Sequence, residues 1–380
     1  MKRHDSADEG KKMAASGLWS PIYDRHLSWA GVRLEALEET DGGAPDGEVP
    51  KGKPLFAEAA AVTDDPAQWG HVLLTIVLSE PAGTAAFPAL QAQGAQFALY
   101  GAEPSGAALC KTRWFDAAAL PEVNALQALS RDEVRLAVYN LASLTQFHHC
   151  QGLGFSLFAF GRMASGGGAA APQDTSRLSL MRLLALVAKD AETAEMEAVL
   201  KLEPKLAFDL LRLVNSTSFS MRTEITSFAQ AIMVLGRRQL QRWLQLLLFA
   251  HRKDGDESPN ILMQRAAERG RLLELLAGMG NDTVDREQAF MVGVFSLLDV
   301  LMATPLADLL KSVALPKPVE LALLERRGRL GALLELAGAA EASDKPEVLR
   351  RLAGLGVAPG DFSRVSLDAL SWALQVARLS

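Results

Sequence analysis

The chain has 380 residues, of which 49% are hydrophobic and 22% charged, with a formal net charge of −6 at pH 7. That length suits two domains and that composition supports a real core, while the acidic balance weighs against a protein organised around nucleic acid. Two cysteines, Cys110 and Cys150, cannot build a disulfide framework and read as free thiols; the charged start MKRHDSADEGKK has no signal-peptide core, and no uncharged apolar run reaches the roughly 18 residues of a membrane span. The expectation is a cytoplasmic protein without a membrane span.

In chain order, residues 1–16 read as a disordered tail. Trp19 to Gly31 reads as strand, turn and second strand, and 40–53 as a loop. His71–Leu78 is a short, branched, apolar strand; Phe87–Gln93 suits a helix ending at Gly94; Gln96–Tyr100 is a further strand. Leu129–Leu144 has helical spacing through Val134, Ala137, Val138 and Leu141, and Phe155–Phe160 is a last strand. Strands alternating with helices imply parallel βα units. Pro21-Ile22-Tyr23-Asp24-Arg25 with Gly31, the stretch Leu90–Leu99, and Gly154-Phe155-Ser156-Leu157-Phe158 resemble a degenerate EAL domain, a barrel whose active members hydrolyse cyclic di-GMP. The resemblance implies an α+β domain over 17–162. About 150 residues against the about 240 of a full barrel predict an incomplete, βα-barrel-like fold.

That resemblance also implies where catalytic groups belong. The family's glutamate, two residues after the glycine matching Gly31, falls on Arg33, and Glu35 lies two residues further along. The Asp-Asp pair falls on Tyr100-Gly101, and the glutamine after Phe158 is Ala159. The strand carrying a Lys and a Glu is expected to be deleted between the Leu129–Leu144 helix and Phe155. Metal-assisted phosphodiester hydrolysis needs several converging carboxylates, so no catalytic residue, metal or cofactor is assigned. His148-His149-Cys150 reads as a surface or helix-end cluster, because adjacent helical side chains diverge by about 100°.

Residues 163–173 (MASGGGAAAPQ) form a linker with almost no side-chain bulk. From 174 to 380 the chain reads as all-α, with helices expected over 177–189, 193–202, 204–215, 228–235, 237–252, 259–279, 286–302, 305–313, 317–326, 328–340, 345–354 and 366–379, and this half is expected to fold alone. Trp243, Phe249, Met263, Met279, Met291 and Met302 are expected to pack in its core. Leu206, Leu210, Leu211 and Val214 form one apolar stripe, Asn215 to Ser218 end that helix, Ser227 with Gln230 is a capping-box pattern, and Gly236 suits a left-handed turn. Leu210 to Ser216, Phe219, Ile225, Ser227, Ala231, Leu235-Gly236 and Gln239-Leu240 resemble the HDOD domain of bacterial signalling proteins, and the likeness continues through Phe290–Leu298. HDOD domains are related to HD-type metal phosphohydrolases. The His-Asp pair of that superfamily falls at Ser296-Leu297, with Asp299 two residues late and no histidine beyond His251.

Together the two resemblances imply an EAL–HDOD signalling protein that acts by binding other signalling proteins rather than by catalysis, linked to cyclic di-GMP. Residues 205–253 carry 8 Lys+Arg against 2 Asp+Glu, which offers a basic face. The binding candidates are Asn215, Ser216, Arg222, Arg237, Arg238 and Arg242. The alternatives are a nucleotide- or nucleic-acid-binding regulator, though nucleic acid is not an expected partner, and a residual cyclic di-GMP phosphodiesterase. The partner's identity and the oligomeric state are left open.

Overall fold

A computed structural model describes residues 16–37, 53–62, 73–79, 85–101, 110–131, 133–163, 175–188, 191–202, 230, 236, 238, 240–242, 244–247, 261–280, 284–302, 304–311 and 315–377. Eight strands, β1 (Gly17–Tyr23), β2 (Trp29–Ala36), β3 (Pro54–Glu58), β4 (Leu73–Leu78), β5 (Gln96–Tyr100), β6 (Cys110–Asp116), β7 (Arg135–Leu141) and β8 (Leu157–Phe160), pair in sequence order and close into a barrel. Strands β2 to β8 run parallel. β1 is antiparallel to β2 and β8, so Gly17 and Leu18 lie beside Ala36 and Glu35 at the C-terminal end of the barrel.

The closed barrel corrects the expected incomplete one. Closure requires each strand to find two hydrogen-bonding partners, not a long helix behind every strand. Among the described residues the connections carry short 3-10 turns at Ala59–Ala61 and at residues 85–86, and the helices α1 (Pro88–Ala92), α2 (Val123–Arg131) and α3 (Leu144–Gly152). Shortened crossovers thus let eight strands fit a stretch too short for a full barrel. The expected helix over Leu129–Leu144 also divides. α2 ends at Arg131, β7 takes up the second part of the expected helix, and the stretch where a strand was expected to be deleted is largely α3. The alternation of β7 sends Leu136 and Val138 outward and Ala137 and Tyr139 inward. Inside, Trp114 and Phe56 meet edge to face with centroids 5.5 Å apart, and small Ala98, Ala137 and Ala159 leave them room. The interior is therefore a packed core and not a pore.

The described part of the C-terminal half includes α4 (Thr175–Ala188), α5 (Thr193–Leu202), α6 (Ile261–Leu276), α7 (Arg286–Phe295), α8 (Leu298–Met302), α9 (Leu306–Leu310), α10 (Lys317–Glu325), α11 (Gly328–Glu341), α12 (Lys345–Leu355) and α13 (Pro359–Ala377), with helical residues also within 236–247 and no strand among its described residues. The all-helical expectation holds there. Local signals mark the ends: the Asp285 side chain accepts from Gln288 N, the Asp344 side chain from Glu347 N, and Gly356 closes α12 at φ +66°. The left-handed turn expected at Gly236 is present, with φ +75°. Met263 and Met291 are buried in the helical core and Met279 packs against it; Trp243 and Phe249 lie outside the described residues.

The two halves share core. The outer face of the barrel near β6 to β8 is covered by Leu126 and Leu129 of α2 and by Phe147 and Cys150 of α3. Its other side, near β2 to β5, is covered by Leu367, Leu370 and Leu374 of α13. Leu18 and Leu37 of the barrel in turn join the helical core, and Ser363 Oγ accepts hydrogen bonds from Gly17 N and Trp19 Nε1. The C-terminal helix thus does the work of a barrel helix. Of the expected 163–173 linker only Met163 is described. Both cysteines are buried free thiols, and no described helix is long and apolar enough to cross a membrane.

Candidate functional site

In parallel barrels the C-terminal strand ends form the usual site of chemistry. Here that end holds Arg33 and Glu35 of β2, Glu58 at the end of β3, Tyr100 at the end of β5 and Tyr139 of β7. Residues two apart on a strand share a face, so Arg33 and Glu35 both turn inward; they are 3% and 5% exposed. The Arg33 guanidinium donates one bond to Glu35 Oε1 and another to the Tyr100 hydroxyl at 2.9 Å. Tyr100 in turn donates to Glu58 Oε1 at 3.1 Å. The Arg33 carbon lies 4.5 Å from the Tyr139 ring centre and 5.7 Å from that of Trp114. Burial works to lower the Arg33 pKa, but the Glu35 carboxylate and Tyr100 outweigh it and hold the guanidinium above its ordinary value. Burial likewise pushes the Tyr100 hydroxyl up, so that it keeps the proton it donates.

The helical half closes this mouth. Ser343 Oγ donates to Glu35 Oε1 at 2.8 Å, and Lys345 Nζ donates to Glu58 Oε2 at 2.8 Å. Arg265 of α6 reaches the Phe160 carbonyl at the end of β8 and pairs with Glu268. The space left between Arg33, Glu35, Arg265, Glu341 and Ser343 is about 40 Å³, room for one or two waters. Each carboxylate at the mouth already has a cationic partner. A fixed guanidinium stands at the position where the EAL resemblance places a glutamate. Among the described residues, no three His, Cys, Asp or Glu side chains gather in a metal-ligating group.

Glu58, Tyr139, Ser343 and Lys345 were not singled out in the sequence. Glu58 sits on a strand that periodicity did not reveal; Lys345 joins it from 287 positions away, and Ser343 joins Glu35 from 308. Of the predicted binding residues, Asn215, Ser216, Arg222 and Arg237 lie outside the described residues. Arg238 is exposed. Arg242 is not on the expected exposed face: it is 8% exposed, pairs with Glu274 and Glu287 at 2.8 Å each, and lies 4.7 Å over the Phe290 ring. Its stem and charge belong to the helical core. Ser296 and Leu297 are also buried. Ser296 Oγ donates to the Gly293 carbonyl and accepts from Arg269 Nη1 at 2.6 Å. His148 and His149 are exposed on α3 while Cys150 is buried, as expected for a helix surface.

The architecture is that of a filled barrel whose mouth is plugged by a helical domain, and residues 176–314 of that helical half match the HDOD domain. The chain carries an HDOD domain there. It is 30% identical over 190 residues, 50% of this chain and 44% of the relative, to the cyclic di-GMP phosphodiesterase CdgJ of Vibrio cholerae serotype O1 (strain ATCC 39315 / El Tor Inaba N16961). It is 28% identical over 140 residues, 37% of this chain and 34% of the relative, to the uncharacterized protein YuxH of Bacillus subtilis (strain 168). The chain spans less than half the length of these curated relatives.

Proposed function

We propose that this chain is a non-catalytic signalling adaptor in a pathway linked to cyclic di-GMP, its barrel being a degenerate EAL domain that has become a scaffold for the HDOD domain. The observation that carries the reading is the barrel mouth, where Arg33 takes the place of a carboxylate, Glu35 and Glu58 are spent on Arg33, Tyr100, Ser343 and Lys345, and about 40 Å³ remains. Two-metal hydrolysis needs free carboxylates and room for both cations and the phosphodiester. The likeness to CdgJ supports the link to cyclic di-GMP. The adaptor then acts through surfaces of the HDOD domain, by binding other signalling proteins.

The test is direct. The purified full chain is incubated with cyclic di-GMP and magnesium or manganese. No hydrolysis is expected in either metal. Metal-dependent turnover by the intact protein overturns the reading.

A further inference from the structure

A second cavity of about 600 Å³ lies on the helical side of the barrel, between Arg162 just after β8, α6, the α7–α8 junction, the C-terminal end of α10, and helices α11 and α12. Its volume is within the range of small-molecule and nucleotide sites. Four arginines line it: Arg162, Arg269, Arg326 and Arg351. Four carboxylates, Asp299, Glu335, Asp344 and Glu347, line it too, so its preference depends on which charges are already committed.

Two of the carboxylates are committed to cations, and the other two accept from backbone N–H groups. Glu335 and Glu347 both pair with Arg351, and Glu347 also holds Arg350. The Asp344 side chain caps α12 by accepting from Glu347 N. Asp299 accepts from Val300 N at 2.8 Å. Two cations are less well matched. Arg326 sits in a left-handed C-cap at φ +56°, and its Nη1 donates to the Ala322 and Leu323 carbonyls, with no carboxylate within ion-pair distance among the described residues. Arg162 has no hydrogen bond or ion pair to another described residue. Its guanidinium lies over Gly338 of α11, with Nε and Cζ 3.8–3.9 Å from where a Cβ would stand, so the bare backbone there lets it reach the cavity. Arg269 is bound to Glu341 and Ser296 yet still faces the same space. The three charges feel one another: burial first, then Arg269 and Arg162, push the Arg326 pKa down, and the opposite pull of Asp299 and Glu335 does not cancel them. Arg162, Arg269 and Arg326 thus gather three guanidinium forks on one side of the cavity, and the planar fork matches phosphate oxygens.

We propose that the cavity bounded by Arg162, Arg269 and Arg326 is a binding site for a phosphate-bearing small molecule of nucleotide size, held between the end of the barrel and the HDOD domain. The inference stands apart from the adaptor reading, since it concerns neither the barrel mouth nor catalysis.

Isothermal titration of the full chain with inorganic pyrophosphate, cyclic di-GMP and uncharged guanosine tests it. Saturable binding of pyrophosphate or of cyclic di-GMP is expected, weakened roughly tenfold or more by Arg162→Gln and again by Arg326→Gln, as loss of a charge-assisted bond implies. Pyrophosphate alone binding points to terminal phosphates, and cyclic di-GMP binding to a phosphodiester; both support the site. Because Arg326 also caps α10, exposed Arg162 supplies the variant that leaves the fold intact, checked by an unchanged melting temperature without ligand. The proposal fails if neither phosphate compound binds at millimolar concentration, if guanosine binds as tightly as they do, or if Arg162→Gln and Arg326→Gln leave affinity unchanged.

Discussion

Arg33 is a buried cation, and its neighbours determine what it is worth. A buried pair is weak evidence for stability in itself, but removing one partner leaves a charge stranded. Arg33→Leu leaves Glu35 with only Ser343 among its hydrogen-bonded partners in the described residues, and takes from the Tyr100 hydroxyl the donor it has in Arg33. A loss of roughly 3–5 kcal/mol in unfolding free energy is expected. The double change Arg33→Leu with Glu35→Leu should recover a large part of it, and urea titrations of the four corners of that cycle measure the coupling. A fully additive cycle would contradict the assigned pair. Arg238 and Arg242 make a second contrast. Sequence spacing puts them one turn apart on one helix, yet only Arg238 is exposed. Arg238→Glu should move stability by no more than about 0.5 kcal/mol. Arg242→Glu sets a third carboxylate against Glu274 and Glu287, and a loss of about 3–5 kcal/mol is expected. Equal thermal melts for the two variants would show that Arg242 is not held as described.

At the level of elements, the crossing of α6 and α7 depends on two glycines that face each other. A Cβ at Gly293 would stand 2.6 Å from Gly270 Cα and 2.7 Å from the Arg269 carbonyl oxygen, both of them backbone atoms that cannot move aside. Gly293→Ala must therefore push the helices apart, and about 1–3 kcal/mol of destabilisation is expected despite the better helix propensity of alanine. A neutral or stabilising result in a denaturant titration would mean that the helices cross with more room than this. The elements also show what could be read from sequence. Most of the described helices of the C-terminal half were legible because local signals agree with packing: caps at Asp285 and Asp344, a glycine at 356, and apolar stripes between them. The expected helix over 286–302 divides into α7 and α8, α13 starts at Pro359 rather than 366, and the expected helices 204–215 and 228–235 lie outside the described residues apart from Gln230. Barrel strands were legible where the chain is plainly branched and apolar, as in β4. β7 was not, since Val134, Ala137, Val138 and Leu141 fit a helical stripe as well as they fit alternation, and a short apolar run does not decide between the two. β6 was hidden by Lys111 and Arg113, although Arg113 ends up fully buried. At the mouth, Arg33 at the position where the EAL resemblance implies a glutamate could be seen in the sequence, whereas the closure by Ser343 and Lys345 is a tertiary fact with no local trace.

For the whole molecule, the question is whether the helical half, cut at residue 174, is a complete folding unit. Leu367, Leu370 and Leu374 pack on the barrel rather than on their own half. Ser363, Ser343 and Lys345 also make bonds to β1, Glu35 and Glu58 that only the barrel supplies. Burying one leucine contributes about 1.5–3 kcal/mol, an upper figure because unfolded chains already hide part of that surface. Three such side chains with their polar partners rival the whole stability of an ordinary domain. The full chain should therefore unfold in one cooperative transition, with tryptophan fluorescence and far-ultraviolet circular dichroism changing together. A fragment of residues 174–380 should keep its helical signal, melt at a lower temperature, and bind a hydrophobic dye or self-associate through the bared face of α13. Substituting Leu367, Leu370 and Leu374 with Glu in that fragment should restore a monomer, while the same triple change in the full chain should uncouple the halves and split the transition in two. A monomeric wild-type fragment as stable as the full chain would mean that α13 gains nothing from the barrel, and the shared core would then be a contact without energetic weight.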